Sequence, residues 1–273
     1  MLLHRKWNLP GPSGRISSEL MLPEAFDEEN DHCALVILMH GFLGAKYKTP
    51  IPFLSEMLLA QGYAVLRFDF DGYGESEGAQ EDNTVPKMLE DARTVWEYAV
   101  RLPFVDRIVL LGHSQGGVVA GMLAGRLEKA GTPPSALILL APASVLKDYA
   151  IRGKFFTVRC NPENPPEYIN VYGFRIGREY ILSAQGLPIG EEMSCYTGPV
   201  CLLHGTCDFI VPVSGSDRLA RLFPNCEYHR IRGTGHIFLF RRPRVRRLIQ
   251  EFLIFFLKAD GVRPVSLLKR RAK

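Results

Sequence analysis

Long apolar runs are missing from this sequence. The longest, such as residues 34–39 and 252–257, fall far short of the roughly 18 to 20 residues that span a bilayer, so no membrane-crossing helix is expected. Residues 1–10 carry neither a continuous apolar stretch nor a small-residue cleavage site. They do not read as a secretory signal, and a cytoplasmic protein is the expectation. Cysteine is sparse, and Cys33, Cys160, Cys195, Cys201, Cys207 and Cys226 form no C-x-x-C pair. That spacing argues against a structural zinc site and a disulfide framework, and predicts free thiols. Internal repeats are absent as well. What is present is ordinary for a globular protein: 273 residues, 47% hydrophobic and 23% charged. Disorder, collagen and coiled coil are excluded as whole-chain descriptions, and a sizeable core is expected.

The net charge of +4 conceals an asymmetry, because residues 241–273 hold 11 Lys or Arg against only Glu251 and Asp260. Within that run Val245, Leu248, Ile249, Phe252, Leu253 and Phe256 recur at helical spacing. An amphipathic helix with a solvated basic face accounts for the pattern. A basic run without interleaved aromatics or a known module is weak evidence for nucleic-acid binding, and none is expected.

Short aliphatic runs alternate with helical patterns through most of the chain, which is the signature of βαβ units around a mainly parallel sheet. Strands are predicted at 35–39, 64–68, 108–111, 137–140, 200–203 and 227–230. Helices are predicted near 51–61, 86–100, 115–129, 214–222 and 244–257. Residues 1–31 fit an antiparallel hairpin at the sheet edge, with Gly11-Pro12-Ser13-Gly14 as its turn. Residues 143–194 break the rhythm, since a single crossover would need far fewer. This stretch, rich in Pro, Asn, Gly and aromatics, reads as a small inserted cap, with short strands at 155–159 and 168–174. The whole chain, 1–273, is expected to be one domain carrying that insertion.

Gly112-His113-Ser114-Gln115-Gly116 matches G-x-S-x-G and lies between a predicted strand and a predicted helix. A serine on such a turn has a strained backbone, and a side chain two residues either way would crowd it. A hydroxyl is a poor nucleophile until a base takes its proton, and the base needs a carboxylate to set its tautomer. On this kind of scaffold the acid follows the serine and the histidine follows the acid. Asp208, in His204-Gly205-Thr206-Cys207-Asp208, and His236, in Gly233-Thr234-Gly235-His236, have that order and follow predicted strands. Ligands and catalytic groups gather at those strand ends.

Competing residues are accounted for by their surroundings. His204 and His229 fall within or at the end of strands, where packing or local hydrogen bonds would occupy them. Asp217 lies in a predicted helix and Asp148 sits at the start of the insertion, ahead of its short strands, whereas Asp69 and Asp71 come before the serine and most simply stabilise a turn. Backbone N–H groups suited to an oxyanion are those of Gln115 and of Phe42, in His40-Gly41-Phe42. The Phe42 ring either lines an acyl pocket or fills the core.

The segments His40-Gly41-Phe42, Arg67-Phe68-Asp69-Phe70-Asp71-Gly72-Tyr73-Gly74-Glu75-Ser76, Gly112-His113-Ser114-Gln115-Gly116-Gly117-Val118-Val119-Ala120 and His204-Gly205-Thr206-Cys207-Asp208 resemble the α/β-hydrolase superfamily. Within it they are most similar to the bacterial cinnamoyl (feruloyl) esterases, over residues 33–257. The resemblance implies an α/β-hydrolase fold, with a mainly parallel central sheet, flanking helices and a small cap. It also implies an intracellular serine esterase, with no metal and no cofactor, acting on small esters of ferulic, coumaric or caffeic acid. It carries Ser114, Asp208 and His236 as the catalytic triad, and Phe42 and Gln115 as oxyanion donors. Those esterases resemble one another in an acidic residue after Leu-Lys that receives the phenolic hydroxyl. Here Lys147 is followed by Asp148-Tyr149, so either residue is a candidate for that place. Phe155 and Phe156, the other candidate substrate-binding residues, would make the pocket more apolar and favour broader aryl or medium acyl esters.

A lipase, thioesterase or acyltransferase on the same machinery is the alternative enzyme. A non-catalytic binding protein is the alternative of another class. Cap and terminal-helix surfaces are candidates for a homodimer contact.

Overall fold

The computed structural model describes residues 3–258. In chain order the first part comprises β1 (Leu3–Gly11), β2 (Gly14–Leu22), β3 (Cys33–Met39), α1 (Ile51–Leu59), β4 (Ala64–Phe68), α2 (Val85–Ala99), β5 (Val105–His113), α3 (Gln115–Lys129) and β6 (Ala136–Leu140). Next come α4 (Leu146–Ile151), β7 (Lys154–Phe155), β8 (Val158–Arg159), β9 (Tyr168–Val171), β10 (Phe174–Gly177), α5 (Arg178–Gln185) and α6 (Ile189–Met193). The last part is β11 (Val200–Gly205), α7 (Val213–Leu219), β12 (Cys226–Ile231) and α8 (Arg242–Lys258). Residues 1–2 of the expected hairpin, and the basic run from 259 onward, lie outside the described residues. No helix among the described residues is long and apolar enough to cross a membrane.

Eight strands form one sheet in the order β1-β2-β4-β3-β5-β6-β11-β12. The hairpin β1–β2 and the pair β2–β4 are antiparallel, and every pair beyond them is parallel. Every residue of β3 is buried, as a parallel strand covered on both faces requires. Alternate side chains separate two cores. Leu35, Ile37 and Met39 pack with α2 and α3, whereas Ala34, Val36 and Leu38 pack with α1 and α8. The expected apolar face of the last helix is seated there, through Val245, Leu248, Ile249, Phe252 and Leu253.

The insertion is more divided than its sequence pattern suggested. The strand expected at 155–159 is a hairpin, β7–β8, turning at Phe156 with φ +54°. The one expected at 168–174 is the hairpin β9–β10, turning at Tyr172 and Gly173, both with positive φ. Two consecutive positive-φ residues make a tight turn whose twist suits the strands. The end of the insertion belongs to the body. A Cβ on Gly121 or Gly125 of α3 would sit 2.2 Å from Met193 or 1.8 Å from the Glu192 carbonyl. Those glycines therefore let α6 lie directly on α3, where Arg126 also pairs with Glu192.

One buried carboxyl works against the fold. Asp91 of α2 accepts the Asp71 N–H at 2.9 Å, and burial, with the Asp71 carboxyl nearby, pushes its pKa up to about 7. Because the folded chain holds this proton more tightly than the unfolded one, stability falls as pH rises from about 4, the ordinary carboxyl value, towards 7. Asn at this position keeps the acceptor and removes the charge. Asp91→Asn is expected to stabilise the protein by on the order of 2 kcal/mol at pH 7.5 and to leave it unchanged at pH 4. Urea melts at the two pH values check this, and an equal decline in both proteins would refute it.

Candidate active site

Ser114 sits between β5 and α3 with φ +56° and ψ −119°, a conformation that costs a non-glycine residue about 1–3 kcal/mol. The surrounding backbone holds it there. Its N–H donates to the Leu140 carbonyl at 2.9 Å, and its carbonyl accepts from Gly117, Val118 and Ala143. A Cβ on Gly112 would lie 2.2 Å from the Gly116 carbonyl, and one on Gly116 would lie 2.4 Å from the Met39 and His40 carbonyls. The turn is therefore as tight as G-x-S-x-G implies, and a Cβ on Gly41 would lie 2.8 Å from the Ser114 Cβ.

β11 and β12 are parallel neighbours, so the loops leaving their C-terminal ends lie side by side. Asp208 comes from the first and His236 from the second. His236 Nε2 is 2.8 Å from Ser114 Oγ, and His236 Nδ1 is 2.7 Å from Asp208 Oδ2. The Ile210 and Val211 N–H groups both donate to Asp208 Oδ1 at 2.9 Å. Burial opposes ionisation of Asp208, but hydrogen bonds from His204 and His236 outweigh it and hold the carboxyl well below the usual range. A carboxylate at Oδ2 makes Nδ1 the protonated nitrogen of His236, which leaves Nε2 free to accept the serine proton.

Three further histidines brace this arrangement, and sequence reasoning did not assign them a place in it. His204, fully buried, donates from Nε2 to Asp208 Oδ2 at 3.0 Å, with the Val211 carbonyl at 3.1 Å and Ser216 Oγ 2.7 Å from Nδ1. It is satisfied locally, as expected, yet its partner is the carboxylate itself. His113 donates from Nε2 to the His236 carbonyl at 2.9 Å, and burial beside His236 pushes its pKa down to about 3, keeping it neutral. His40 donates from Nδ1 to the Gly41 carbonyl and accepts the Phe70 N–H at Nε2; burial lowers its pKa as well. The sequence signal was a histidine at or just past the end of each of the three strands β3, β5 and β11, beside the turn.

The Gly41 carbonyl also accepts from the Gly44 N–H. C=O and N–H point oppositely across a trans peptide, so the Phe42 N–H is directed away from these partners. Gln115 is the first residue of α3, and its N–H has no intrahelical acceptor; its side chain turns instead to Met88 Sδ. Behind the 41–46 loop lies a buried ion pair. Lys46 meets Asp69, Glu75 at 2.8 Å and Ser17 at 2.9 Å. Asp69 also accepts the Lys46 and Glu75 N–H groups. It does stabilise the turn expected of it, and it anchors the neighbouring loop too.

Ser114 opens on a cleft of ≈ 200 Å³ whose walls include Phe42, Phe155, Phe156, Tyr149 and Tyr180. Phe42 and Phe156 are stacked, with centroids 6.0 Å apart and planes at 22°. Asp148 does not join them. It lines a separate surface cavity with Lys147, Pro188 and Arg218. Residues 148 and 149 follow one another in α4, so their side chains diverge by about 100°. Tyr149 shares the cleft face with Leu146, three residues earlier, and Asp148 faces away.

The architecture is that of the α/β-hydrolase fold, a mainly parallel sheet with flanking helices. Residues 30–161 match the family Hydrolase_4, described as serine aminopeptidase, S33. The structure is similar to that of Est1E from Butyrivibrio proteoclasticus with ferulic acid bound, with 29% identity, a TM-score of 0.86 and coverage of 92% of this chain and 99% of that one. In sequence it is 26% identical to lysophosphatidylserine lipase ABHD12 of Danio rerio over 80% of this chain. It spans 58% of that lipase's length. The Pyrococcus furiosus esterase Pf2001 shares the fold at 18% identity, with a TM-score of 0.68 and coverage of 92% of each chain.

His204 is a positioning residue by this geometry. His204→Ala is expected to lower kcat for ester hydrolysis about 100-fold with little change in KM. His204→Gln, which keeps a donor, should retain most activity. A folded His204→Ala protein with unchanged kcat, or a His204→Gln protein as impaired as the alanine variant, would refute the role.

Proposed function

We propose that this chain hydrolyses carboxylic esters through a covalent acyl-enzyme on Ser114. The observation that carries the reading is the continuous hydrogen-bond chain Ser114–His236–Asp208, at 2.8 and 2.7 Å, opening on an apolar cleft. Ser114 Oγ attacks the ester carbonyl as His236 Nε2 takes its proton, and Asp208 stabilises the imidazolium. The Phe42 and Gln115 N–H groups hold the oxyanion. His236 then returns the proton to the leaving alcohol, and water, activated by the same imidazole, releases the acid.

The cleft favours a compact, flat acyl group, and hydroxycinnamates are the substrates we assign to it. The near-parallel rings of Phe42 and Phe156 offer an aromatic wall. Similarity to the ferulic acid complex of Est1E supports the same class. With Asp148 turned away, the phenolic hydroxyl meets the Tyr149 hydroxyl, which itself lies 3.4 Å from the Ile210 carbonyl. The residues from 143 to the end of α5 would cap this cleft. A second reading, hydrolysis of longer acyl esters of lipids, is favoured by likeness to the lysophosphatidylserine lipase and by the almost fully exposed Phe209 at the cleft.

The two readings separate in a panel of methyl ferulate, methyl p-coumarate, methyl cinnamate and p-nitrophenyl esters of short and long acids. Higher kcat/KM for the hydroxycinnamates is expected, and preference for long chains would transfer the assignment to lipids. Ser114→Ala should lower kcat on the order of a million-fold, and activity retained above background would sink the mechanism. Tyr149→Phe should lower kcat/KM roughly tenfold for the hydroxylated esters, the worth of one hydrogen bond, and leave methyl cinnamate unaffected. Equal effects on both would remove Tyr149 from phenol recognition.

A further inference from the structure

The two loops that bring Asp208 and His236 to Ser114 also carry a row of exposed apolar side chains. Phe209 is 97% exposed, Phe240 67%, Leu239 52%, Ile210 43% and Ile237 41%. Tyr172, at the tip of the β9–β10 hairpin, is 68% exposed and lines one half of the cleft together with Ile210 and Ile237. Scattered exposed apolar residues need no explanation, but these gather around one opening. Their outward direction is built in. Phe238 alone of its loop fills the core, fully buried and at φ +52°, which leaves Ile237, Leu239 and Phe240 outside. The Asp208 carboxylate pins the backbone on either side of Phe209 through the Ile210 and Val211 N–H groups.

The charge along the His236 loop and the start of α8 has one sign, and the exposed carboxyl of Asp148, on α4, faces the separate cavity on the other side of that helix. From Arg232 to Arg247 the chain contains six arginines and no Asp or Glu. Arg232, Arg241 and Arg244 are exposed, and the Arg241 guanidinium lies over Gly233, within the same loop. Lys48 and Lys154 line the two halves of the cleft, and neither half is lined by a carboxylate. Arg152 borders the exposed Ile151 on the opposite side.

We infer that this rim is a docking surface for an anionic lipid bilayer, which the apolar side chains enter while the arginines meet the headgroups. Apolar anchors ringed by basic residues are what an interfacial protein presents to such a surface. A second copy of the chain fits less well, because a two-fold contact would set the arginine cluster against itself and close the cleft. Nucleic acid would give Ile210, Ile237 and Leu239 nothing apolar to enter. The inference goes beyond ester hydrolysis and is independent of which acyl group the cleft takes.

Sedimentation of the full chain with vesicles of phosphatidylcholine, with and without phosphatidylglycerol, tests it. Binding is expected only with phosphatidylglycerol, and should weaken at high salt. Leu239→Ser/Phe240→Ser should lower partitioning about tenfold or more. Neither residue lines the cleft, so hydrolysis of p-nitrophenyl acetate should be unchanged. Arg241→Gln/Arg244→Gln should weaken binding to the anionic vesicles. Ser114→Ala should bind as the unaltered chain does, so that loss of the catalytic reading and loss of the docking reading are distinguishable. The inference is overturned if the unaltered chain shows no phosphatidylglycerol-dependent binding or if the double serine variant binds equally. It is also overturned if sedimentation finds a dimer that this variant breaks, which would assign the rim to a second copy.

Discussion

Ser114 occupies a backbone conformation that a serine adopts only under constraint, and the geometry around it depends on that constraint being met. The positive φ turns the hydroxyl out of the sheet edge towards His236. It is maintained by close backbone contacts that admit no Cβ at Gly112 or Gly116, and by the hydrogen bond to Leu140 at the end of the next strand. The strain is local, and the stability that holds it comes from the two cores on either side of the sheet.

Around this point the protein uses buried imidazoles as fixed struts. His40 orients the Gly41–Phe42 peptide, His113 holds the His236 carbonyl and His204 holds Asp208. At His40 and His113, where burial lowers the pKa, a neutral imidazole offers a donor and an acceptor without the desolvation penalty of a buried charge. Where a charge is buried outright, at Lys46 and Asp69, it is paired and further hydrogen-bonded. That pair ties the 41–46 loop to β2 and β4, so a single network supports the wall opposite the His236 loop. Asp91 is the contrast, a carboxyl whose burial outweighs the nearby Lys87 and whose proton is retained well above the usual range.

The same two loops have opposite inner and outer chemistry. Inside they present Asp208 and His236 to Ser114; outside they present aliphatic and aromatic side chains beside arginines. A molecule entering the cleft would pass an apolar rim before it reached Ser114.

The parts of this structure that depend on local pattern were legible in the sequence. Continuous apolar runs marked the parallel strands because both their faces are covered, and the spacing of Val245, Leu248, Ile249 and Phe252 marked the last helix because one face is. Gly112 and Gly116 marked the turn because no other residue fits there. What depends on direction or on distant partners was not legible. Asp148 and Tyr149 are adjacent in sequence, and only the α4 helix decides that one enters the cleft while the other leaves it. His204 read as a packed strand residue, and only the meeting of two loops makes it a partner of Asp208. The α3 glycines gave no sign that α6 would rest on them. By itself, the sequence determined the order of elements and the turn chemistry, which are properties of neighbours along the chain. Tertiary structure decided which side chains share the cleft, the struts and the rim, because those contacts join residues that only folding brings together.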